Sequence, residues 1–424
     1  MVDKSLFIQA SRVLYLSAMT EARIQPVSGG TVTSPAGFHA GGVCAHIKNS
    51  ESQRLDLGIL FSQEPCEIAG TFTTAAIKSG PVLLDQERLK KGGIVALIAN
   101  SGCANASTGE RGYADAEEMT ALAAKLVGAE PENILVASTG VIGKMLPMPS
   151  IRQAVRQIAL SREGGHDFAR AIITTDRVTK EIALTVAGPT GTYAIGGVAK
   201  GSGMIHPNMG TMFGFITTDA AVEPDFMKTA LKRAVDISFN MVSVDGDTSP
   251  SDTVLLFANS MAKNGPIAAG TPAARLFRQA LEQVCVYLAK EIARDGEGAT
   301  KLIEVSVEGA RTRADARLAA RTVTTSSLVK TAVHGADPNW GRVLAAVGRS
   351  GAKMNESQTD IIIGDITVLK GGRPQEYPEE DVVKVFQRAE VPIKVNLNLG
   401  NGSAIAWGCD LSKEYVTINS QYMT

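Results

Sequence analysis

The chain has 424 residues, with 42 Lys+Arg against 43 Asp+Glu and a formal net charge of −1. That balance removes the main electrostatic argument for nucleic acid or an anionic membrane as partner, and no apolar run reaches the ~18–20 residues that span a bilayer. A prior of about 150 residues per domain gives two or three domains or one large α/β unit, and the 42 glycines beside 5% aromatics point to many tight turns.

Residues 1–24 mix apolar with polar side chains. They read as an N-terminal extension, either dispensable, with Met19 as an alternative start, or a weak targeting signal without a clean apolar segment. Ile94 to Asn100 reads as a buried strand. Ala114 to Val127 reads as a helix with Ala116, Met119, Ala123 and Leu126 on one face and Gly128 as its stop. Leu135 to Ser138 is a short strand running into Thr139-Gly140, and Ala183 to Ala187 is extended. Pro272 to Arg294 is the clearest helix. Thr271 can cap it, Pro272 suits its first position, and Phe277, Leu281, Val284, Cys285, Leu288 and Ile292 form one stripe. Leu302 to Glu308 alternates like a half-buried strand. Ile393 to Leu399, then Gly400-Asn-Gly402, then Ser403 to Trp407 reads as a hairpin. The long helix divides a larger N-terminal unit from a smaller C-terminal one.

Cys44, Cys66, Cys103, Cys285 and Cys409 lie far apart, as do His39, His46, His166, His206 and His334. No CxxC or HExxH spacing occurs, which argues against structural zinc and fits a reducing cytoplasm. The chemistry-bearing stretch is Lys200-Gly-Ser-Gly-Met-Ile-His-Pro-Asn-Met-Gly-Thr211, leading to a strand from Met212. Gly210 can take backbone angles closed to other residues. The Thr211 hydroxyl can then press on the preceding carbonyl, a geometry for an N→O acyl shift. Hydrolysis would leave Thr211 as a new N-terminus, whose α-amine has a reference pKa near ~8 and can serve as base for its own hydroxyl. Gly-Thr alone reads as a turn before a strand, so its weight comes from its surroundings.

Those surroundings carry a resemblance. Asn100-Ser-Gly-Cys-Ala-Asn-Ala106, Ser138-Thr-Gly-Val-Ile-Gly143, Thr174-Thr-Asp176, Lys200-Gly-Ser-Gly-Met-Ile205 and Pro207-Asn-Met-Gly-Thr-Met212 occur in order. Val244-Asp-Gly-Asp-Thr-Ser249, Arg294-Asp-Gly-Glu-Gly-Ala-Thr300, Asp337-Pro-Asn-Trp-Gly-Arg342, Trp407-Gly-Cys-Asp-Leu411 and Tyr415-Val-Thr-Ile-Asn419 follow. From about residue 25 to 424 the chain resembles ornithine acetyltransferase, also called glutamate N-acetyltransferase. The resemblance implies an α+β, layered α/β/β/α fold of the type shared with the aminopeptidase DmpA, N-terminal-nucleophile-like, with a smaller C-terminal α/β domain. It implies a catalytic domain over 25–295, cleaved between Gly210 and Thr211, and a C-terminal domain over 296–424 whose last residues return to the active site.

The same resemblance implies Thr211 as nucleophile, Thr139 and Gly140 as oxyanion hole, and Thr174, Lys200, Thr211, Glu297, Asn419 and Thr424 as substrate-binding residues. The chemistry agrees, since Lys200 can pair a carboxylate and Glu297 an ammonium. Taken alone, Lys200 reads as a loop residue and Glu297 as a helix-end charge. The implied reaction moves acetyl from N2-acetyl-L-ornithine to L-glutamate through acetyl-Thr211. No metal or prosthetic group is expected, and acetyl-CoA is a possible co-substrate. The expected setting is cytoplasmic, without nucleic acid or membrane, as a heterotetramer of two α and two β fragments. Gly210 stands where alanine is common in the family. Cys103 stands where many members have asparagine, and it is given no catalytic role.

Three stretches imitate other motifs. Gly140-Val-Ile-Gly-Lys144 is too short for a P-loop and has Met145 in place of the magnesium-binding hydroxyl. Asp245-Gly-Asp247-Thr-Ser249 starts like a calcium loop but has Leu256 in place of its glutamate. Asp337-Pro-Asn-Trp340 reads as a structural or site-lining loop. An amidase or aminopeptidase on the same fold, and a non-catalytic amino-acid-binding protein, are the competing readings.

Overall fold

The computed structural model describes residues 23–48, 51, 53–206 and 212–421. The strands are β1 (Ile24–Pro26), β2 (Phe38–Val43), β3 (Leu57–Phe72), β4 (Ile94–Cys103), β5 (Ile134–Val141), β6 (Lys180–Gly188), β7 (Gly191–Lys200) and β8 (Phe213–Thr218). They continue as β9 (Val242–Ser243), β10 (Thr253–Ala258), β11 (Leu302–Ala310), β12 (Asp360–Ile363), β13 (Ile366–Lys370), β14 (Arg373–Pro374), β15 (Glu390–Asn396) and β16 (Gly402–Cys409). The helices are α1 (Gly80–Arg88), α2 (Gly109–Val127), α3 (Met148–Ala154), α4 (Gly165–Ile172), α5 (Pro224–Ile237) and α6 (Pro272–Arg294). Then come α7 (Arg313–Thr325), α8 (Ser327–Gly335), α9 (Gly341–Gly348), α10 (Glu379–Phe386) and α11 (Lys413–Ser420).

A nine-stranded sheet has the order β1-β6-β7-β8-β10-β3-β4-β5, with β2 also on β3. Its corner is β3. Leu57 to Phe61 pair with β2 and β4, whereas Glu67 to Phe72 pair with β10. The register with β4 shifts between Phe61 and Cys66, around Pro65, which has no N–H for a ladder. The two halves fold face to face. Leu97, Ala99, Leu135 and Ala137 of one half share a buried cluster with Phe213, Phe215, Leu255 and Phe257 of the other. Their alternate neighbours point outward, as strand periodicity requires. Ala96, Ile98, Ile134 and Val136 pack against Ala116, Met119 and Ala123 of α2. Ile216, Val254 and Leu256 pack against Leu231 of α5 and Phe277, Leu281 and Leu288 of α6. The layers are therefore α/β/β/α, as the sequence led us to expect.

Helix α6 keeps its expected limits. Thr271 Oγ1 accepts the Ala274 N–H at 3.1 Å, with Pro272 at the first helical position. The expected apolar stripe is buried, and Ala273, Ala280, Ala289 and Ala293 on other faces are buried too. The helix is enclosed because a seven-stranded sheet, β14-β13-β12-β15-β11-β16-β9, shares its hydrophobic cluster. Beyond that sheet pack Ala316 and Val323 of α7. Strand β9, which precedes α6 in the chain, joins this sheet parallel to β16.

The expected hairpin over residues 393–407 does not form. Both strands exist, but β11 lies between them, parallel to β15 and antiparallel to β16. The link crosses the end of β11, with Leu397 N–H donating to the Glu308 carbonyl and Leu399 N–H to that of Gly309. The glycine signal has another cause. A Cβ on Gly402 would stand 2.3 Å from the Thr312 carbonyl oxygen, so the glycine admits a close backbone approach. Among the described residues no helix is long and apolar enough to cross a membrane.

Candidate active site

The ends of several strands meet at one polar cavity of about 160 Å³. On the first layer, parallel β4 and β5 align Ser101 with Thr139 and Gly102 with Gly140. Gly140 has φ +131°, and a Cβ there would come 2.4 Å from the Gly102 carbonyl carbon. Only glycine fits, so the backbone at the end of β5 lies against its neighbour and turns into the cavity wall. On the second layer Lys200 ends β7 opposite Phe213 of β8, and Phe213 lies level with Thr253 of β10. Between β7 and β8 in the chain, Gly203, Met204 and Met212 line the cavity.

A fully buried ion triad fixes this side. Lys180 Nζ donates to Asp176 Oδ1 at 2.6 Å and to Asp295 Oδ2 at 2.7 Å. Asp176 also accepts the N–H groups of Thr174 at 3.0 Å and Gly201 at 2.7 Å. One carboxylate thus sets both Thr174 and the residue after Lys200. Burial pushes the Asp176 carboxyl up, but Lys180 and Lys200 beside it hold it well below the usual range. Burial pulls Lys180 down, yet Asp176 and Asp295 together raise it above an ordinary lysine. Asp295 caps α6, and its carbonyl accepts the Ser202 hydroxyl at 2.7 Å.

Lys200 is buried, with its Nζ donating to Thr174 Oγ1 at 3.4 Å and standing 5.8 Å above the Phe213 ring. Burial lowers its ammonium, opposed by Asp176 and Asp252. Glu297, just past α6, is also buried. Its carboxyl rests over Gly203, where a Cβ would come within 2.3 Å of it. Glu297 Oε2 accepts the Asn419 side-chain N–H at 2.8 Å. Helix α11 reaches this point because Gly298, with φ +68°, leaves room for the Tyr415 backbone.

Thr139, Gly140, Thr174, Lys200, Glu297 and Asn419 all line this cavity. Every described residue expected at the site is therefore brought together. Gly210 and Thr211, with the proposed cleavage point, lie outside the described residues, as do Thr424 and almost all of the N-terminal extension. Met212, which follows Thr211 in the chain, lines the cavity.

The segment 244–253 grips the chain on both sides of residues 207–211. Asp245 accepts the N–H groups of Met204 at 2.6 Å and Ile205 at 2.9 Å, and Thr248 Oγ1 donates to the His206 carbonyl at 3.0 Å. On the other side, Thr253 N–H donates to the Met212 carbonyl at 3.1 Å. Arg321 donates to His206 Nε2 at 2.8 Å, and the imidazole is pulled down to about 4 by burial and by Arg321. Sequence reasoning missed Asp245 as a clamp, reading its surroundings only against a cation loop. It also missed Asp252, Ser249 and Ser251, which line the cavity, and Lys180.

Lys144 Nζ donates to the carbonyls of Ile47 and Lys48, and the next helix in the chain, α3, starts only at Met148. Cys103 is buried, its thiol donating to the Lys144 carbonyl at 3.0 Å and pushed up by burial. The turn at Asp337 joins α8 to α9 and is closed by an Arg342–Asp337 pair at 3.3 Å. Among the described residues no group of three or more His, Cys, Asp or Glu is placed to hold a metal ion.

The α/β/β/α layers and the polar cavity, with a buried ammonium and a buried carboxylate in its wall, fit an α+β enzyme with a site for a small polar molecule. Over residues 39–424 it matches the ArgJ family model. The chain belongs to the ArgJ family. It is 51% identical over 404 residues to the arginine biosynthesis bifunctional protein ArgJ of Dehalococcoides mccartyi, covering 95% of this chain and all 100% of that protein. A crystal structure of the ArgJ protein from Bacillus halodurans is 44% identical and covers 50% of this chain and 98% of its own, with a TM-score of 0.48. The ornithine acetyltransferase of Mycobacterium tuberculosis, solved with ornithine, is 38% identical and covers 44% and 98%, with a TM-score of 0.41.

Proposed function

We propose that this protein is a glutamate N-acetyltransferase of arginine biosynthesis, moving acetyl from N2-acetyl-L-ornithine to L-glutamate. Family membership and the arginine-biosynthesis relatives support the reaction class. The observation that carries the site assignment is the single cavity lined by Thr139, Gly140, Thr174, Lys200, Glu297 and Asn419 together with Met212. Thr211 is the nucleophile in this reading, set free as an N-terminus by cleavage after Gly210.

The reading assigns each wall a task. The Thr211 hydroxyl attacks the acetyl carbonyl, with its own α-amine as base. Thr139 Oγ1 and the Gly140 N–H stabilise the oxyanion, a contribution of ~3–4 kcal/mol per donor in comparable sites. Lys200 pairs the substrate α-carboxylate, and Glu297, oriented by Asn419, pairs the ornithine δ-ammonium. Ornithine leaves, and the amino group of glutamate attacks the ester. Acetyl-CoA would load the same ester, and no metal or prosthetic group enters the chemistry. We place the enzyme in the cytoplasm, as two α and two β fragments, with 25–295 as catalytic domain, 296–424 as C-terminal domain and Thr424 at the site. The test is ornithine release from N2-acetyl-L-ornithine with and without glutamate. Glutamate-dependent release supports transfer, whereas equal release in its absence makes the protein an amidase.

A further inference from the structure

Asp252 stands in the cavity wall immediately before β10, level with Met212. It is 4% exposed. The backbone N–H groups of Met212 and Ser249 donate to its carboxyl, and Lys200 faces it. Its Oδ2 is buried and has no hydrogen-bond partner among the described residues. Of the two carboxyl groups lining the cavity, Glu297 has Oε2 occupied by Asn419. Asp252 Oδ2 is the buried carboxyl oxygen of this wall without a partner among the described residues, and one N–H that Asp252 accepts belongs to Met212, the residue bonded to Thr211. The carboxyl is thus hydrogen-bonded to the backbone one residue along the chain from the proposed nucleophile.

An ionised carboxylate with one oxygen unsatisfied in a buried site is costly, so the neutral acid is favoured. Burial accordingly pushes the Asp252 carboxyl well above the usual range, opposed by Lys200. The titratable groups that face it are Lys200 and, across the cavity, Glu297, with Asp176 and Lys180 behind Lys200. Its neighbours Ser249, Ser251, Met212 and Phe213 carry no charge.

Acetyl transfer between two amines has a proton to keep. We propose that Asp252 is the proton store of the acyl-transfer centre, giving a proton to the amine that leaves and taking one from the ammonium that enters. The inference rests on the acetyl-Thr211 reading. In the first half-reaction the amide C–N bond breaks. The leaving nitrogen receives one proton from the Thr211 hydroxyl and one from the Asp252 acid, and departs as ammonium. The enzyme is left as the ester with Asp252 ionised beside Lys200. In the second half-reaction the glutamate ammonium returns a proton to Asp252, and the freed amine attacks the ester carbonyl. The C–O bond to Thr211 breaks, one of the amine's two protons restores the Thr211 hydroxyl, and the other stays on the amide nitrogen.

The experiment loads the enzyme from p-nitrophenyl acetate, whose leaving group needs no proton, and follows discharge by rapid-quench mass spectrometry. Wild type, Asp252→Asn and Asp252→Glu are compared with glutamate and with hydroxylamine, an amine already neutral at pH 7. In Asp252→Asn, discharge by glutamate should fall about a hundredfold or more. Its remaining rate should climb about tenfold per pH unit with the free-amine fraction of glutamate. Hydroxylamine should discharge the variant within about threefold of wild type, because it arrives as the free amine with no ammonium proton to hand over before attack. Asp252→Glu should regain part of the glutamate rate with a displaced pH profile. Glutamate discharge of Asp252→Asn within threefold of wild type, or an equal loss with hydroxylamine, overturns the inference. If Asp252→Asn does not mature, Asp252→Glu decides, and an unaltered rate and pH profile overturns it. Wild-type enzyme that never carries acetyl on the Thr211 fragment contradicts the proposed function instead.

Discussion

Asn419 Nδ2 donates to Glu297 Oε2 at 2.8 Å, joining α11 to the end of α6 across 122 residues of chain. The same amide also donates to the Tyr415 carbonyl at 3.0 Å, which fixes its rotamer on the helix. The carboxylate is therefore aimed by the C-terminal helix and does not swing freely in the cavity.

Asn419→Ala should raise the KM for N2-acetyl-L-ornithine roughly three- to tenfold, the worth of about one hydrogen bond. kcat should change less, because the contact serves binding in ground and transition states alike. Steady-state kinetics would show this, and a variant with wild-type KM would mean that Glu297 needs no aiming.

Gly203→Ala places a methyl within 2.3 Å of the Glu297 carboxyl. The carboxylate must move, and kcat/KM for the ornithine donor should drop at least about tenfold while the fold persists. The same variant should match Glu297→Ala in kinetics. Wild-type activity in Gly203→Ala would show that the carboxylate position is not used.

Lys180→Met leaves Asp176 and Asp295 buried without their shared cation, a cost of ~3–5 kcal/mol. Urea denaturation would measure it. The pH dependence follows from the directions of the shifts. The Asp176 carboxyl is held low, so its stabilisation is present above its unfolded value and is lost as pH falls through its folded one. Lys180 is raised, so its share is present below the ordinary lysine range and is lost only as pH rises through its higher folded value. The penalty of the variant should therefore be flat from pH 5 to 9. A penalty that vanishes within that range would mean the triad is not ionised.

His206 is lowered to about 4 in the fold, below its unfolded value near ~6.5. The unfolded chain takes up protons first, so this contribution is complete above about pH 6.5 and is lost as pH falls toward 4. His206→Gln keeps an acceptor for Arg321 and should flatten the Tm difference between pH 5 and pH 7. An unaltered difference would place the acid sensitivity elsewhere.

Helix α6 was legible because helix periodicity and capping are local, whereas the layers were expected only through the family resemblance. The 393–407 hairpin failed because Gly400-Asn-Gly402 looks like a turn signal, and nothing local reveals that β11 slots between the strands. Thr139, Lys200 and Glu297 were found through motif resemblance, since each alone is an ordinary junction, loop or helix-end residue. Lys180 and Asp252 escaped because their roles depend on distant partners. Lys180 meets Asp295 across 115 residues, and Asp252 gains its place only when β10 lies parallel to β8.

The most direct measurement is the intact mass of the purified protein before and after incubation with N2-acetyl-L-ornithine without glutamate. The expected result is two fragments, 1–210 and 211–424, with one acetyl group gained by the second and removed when glutamate is added. Active enzyme that remains a single uncleaved chain, or that carries the acetyl group away from Thr211, would contradict the proposed acyl-enzyme.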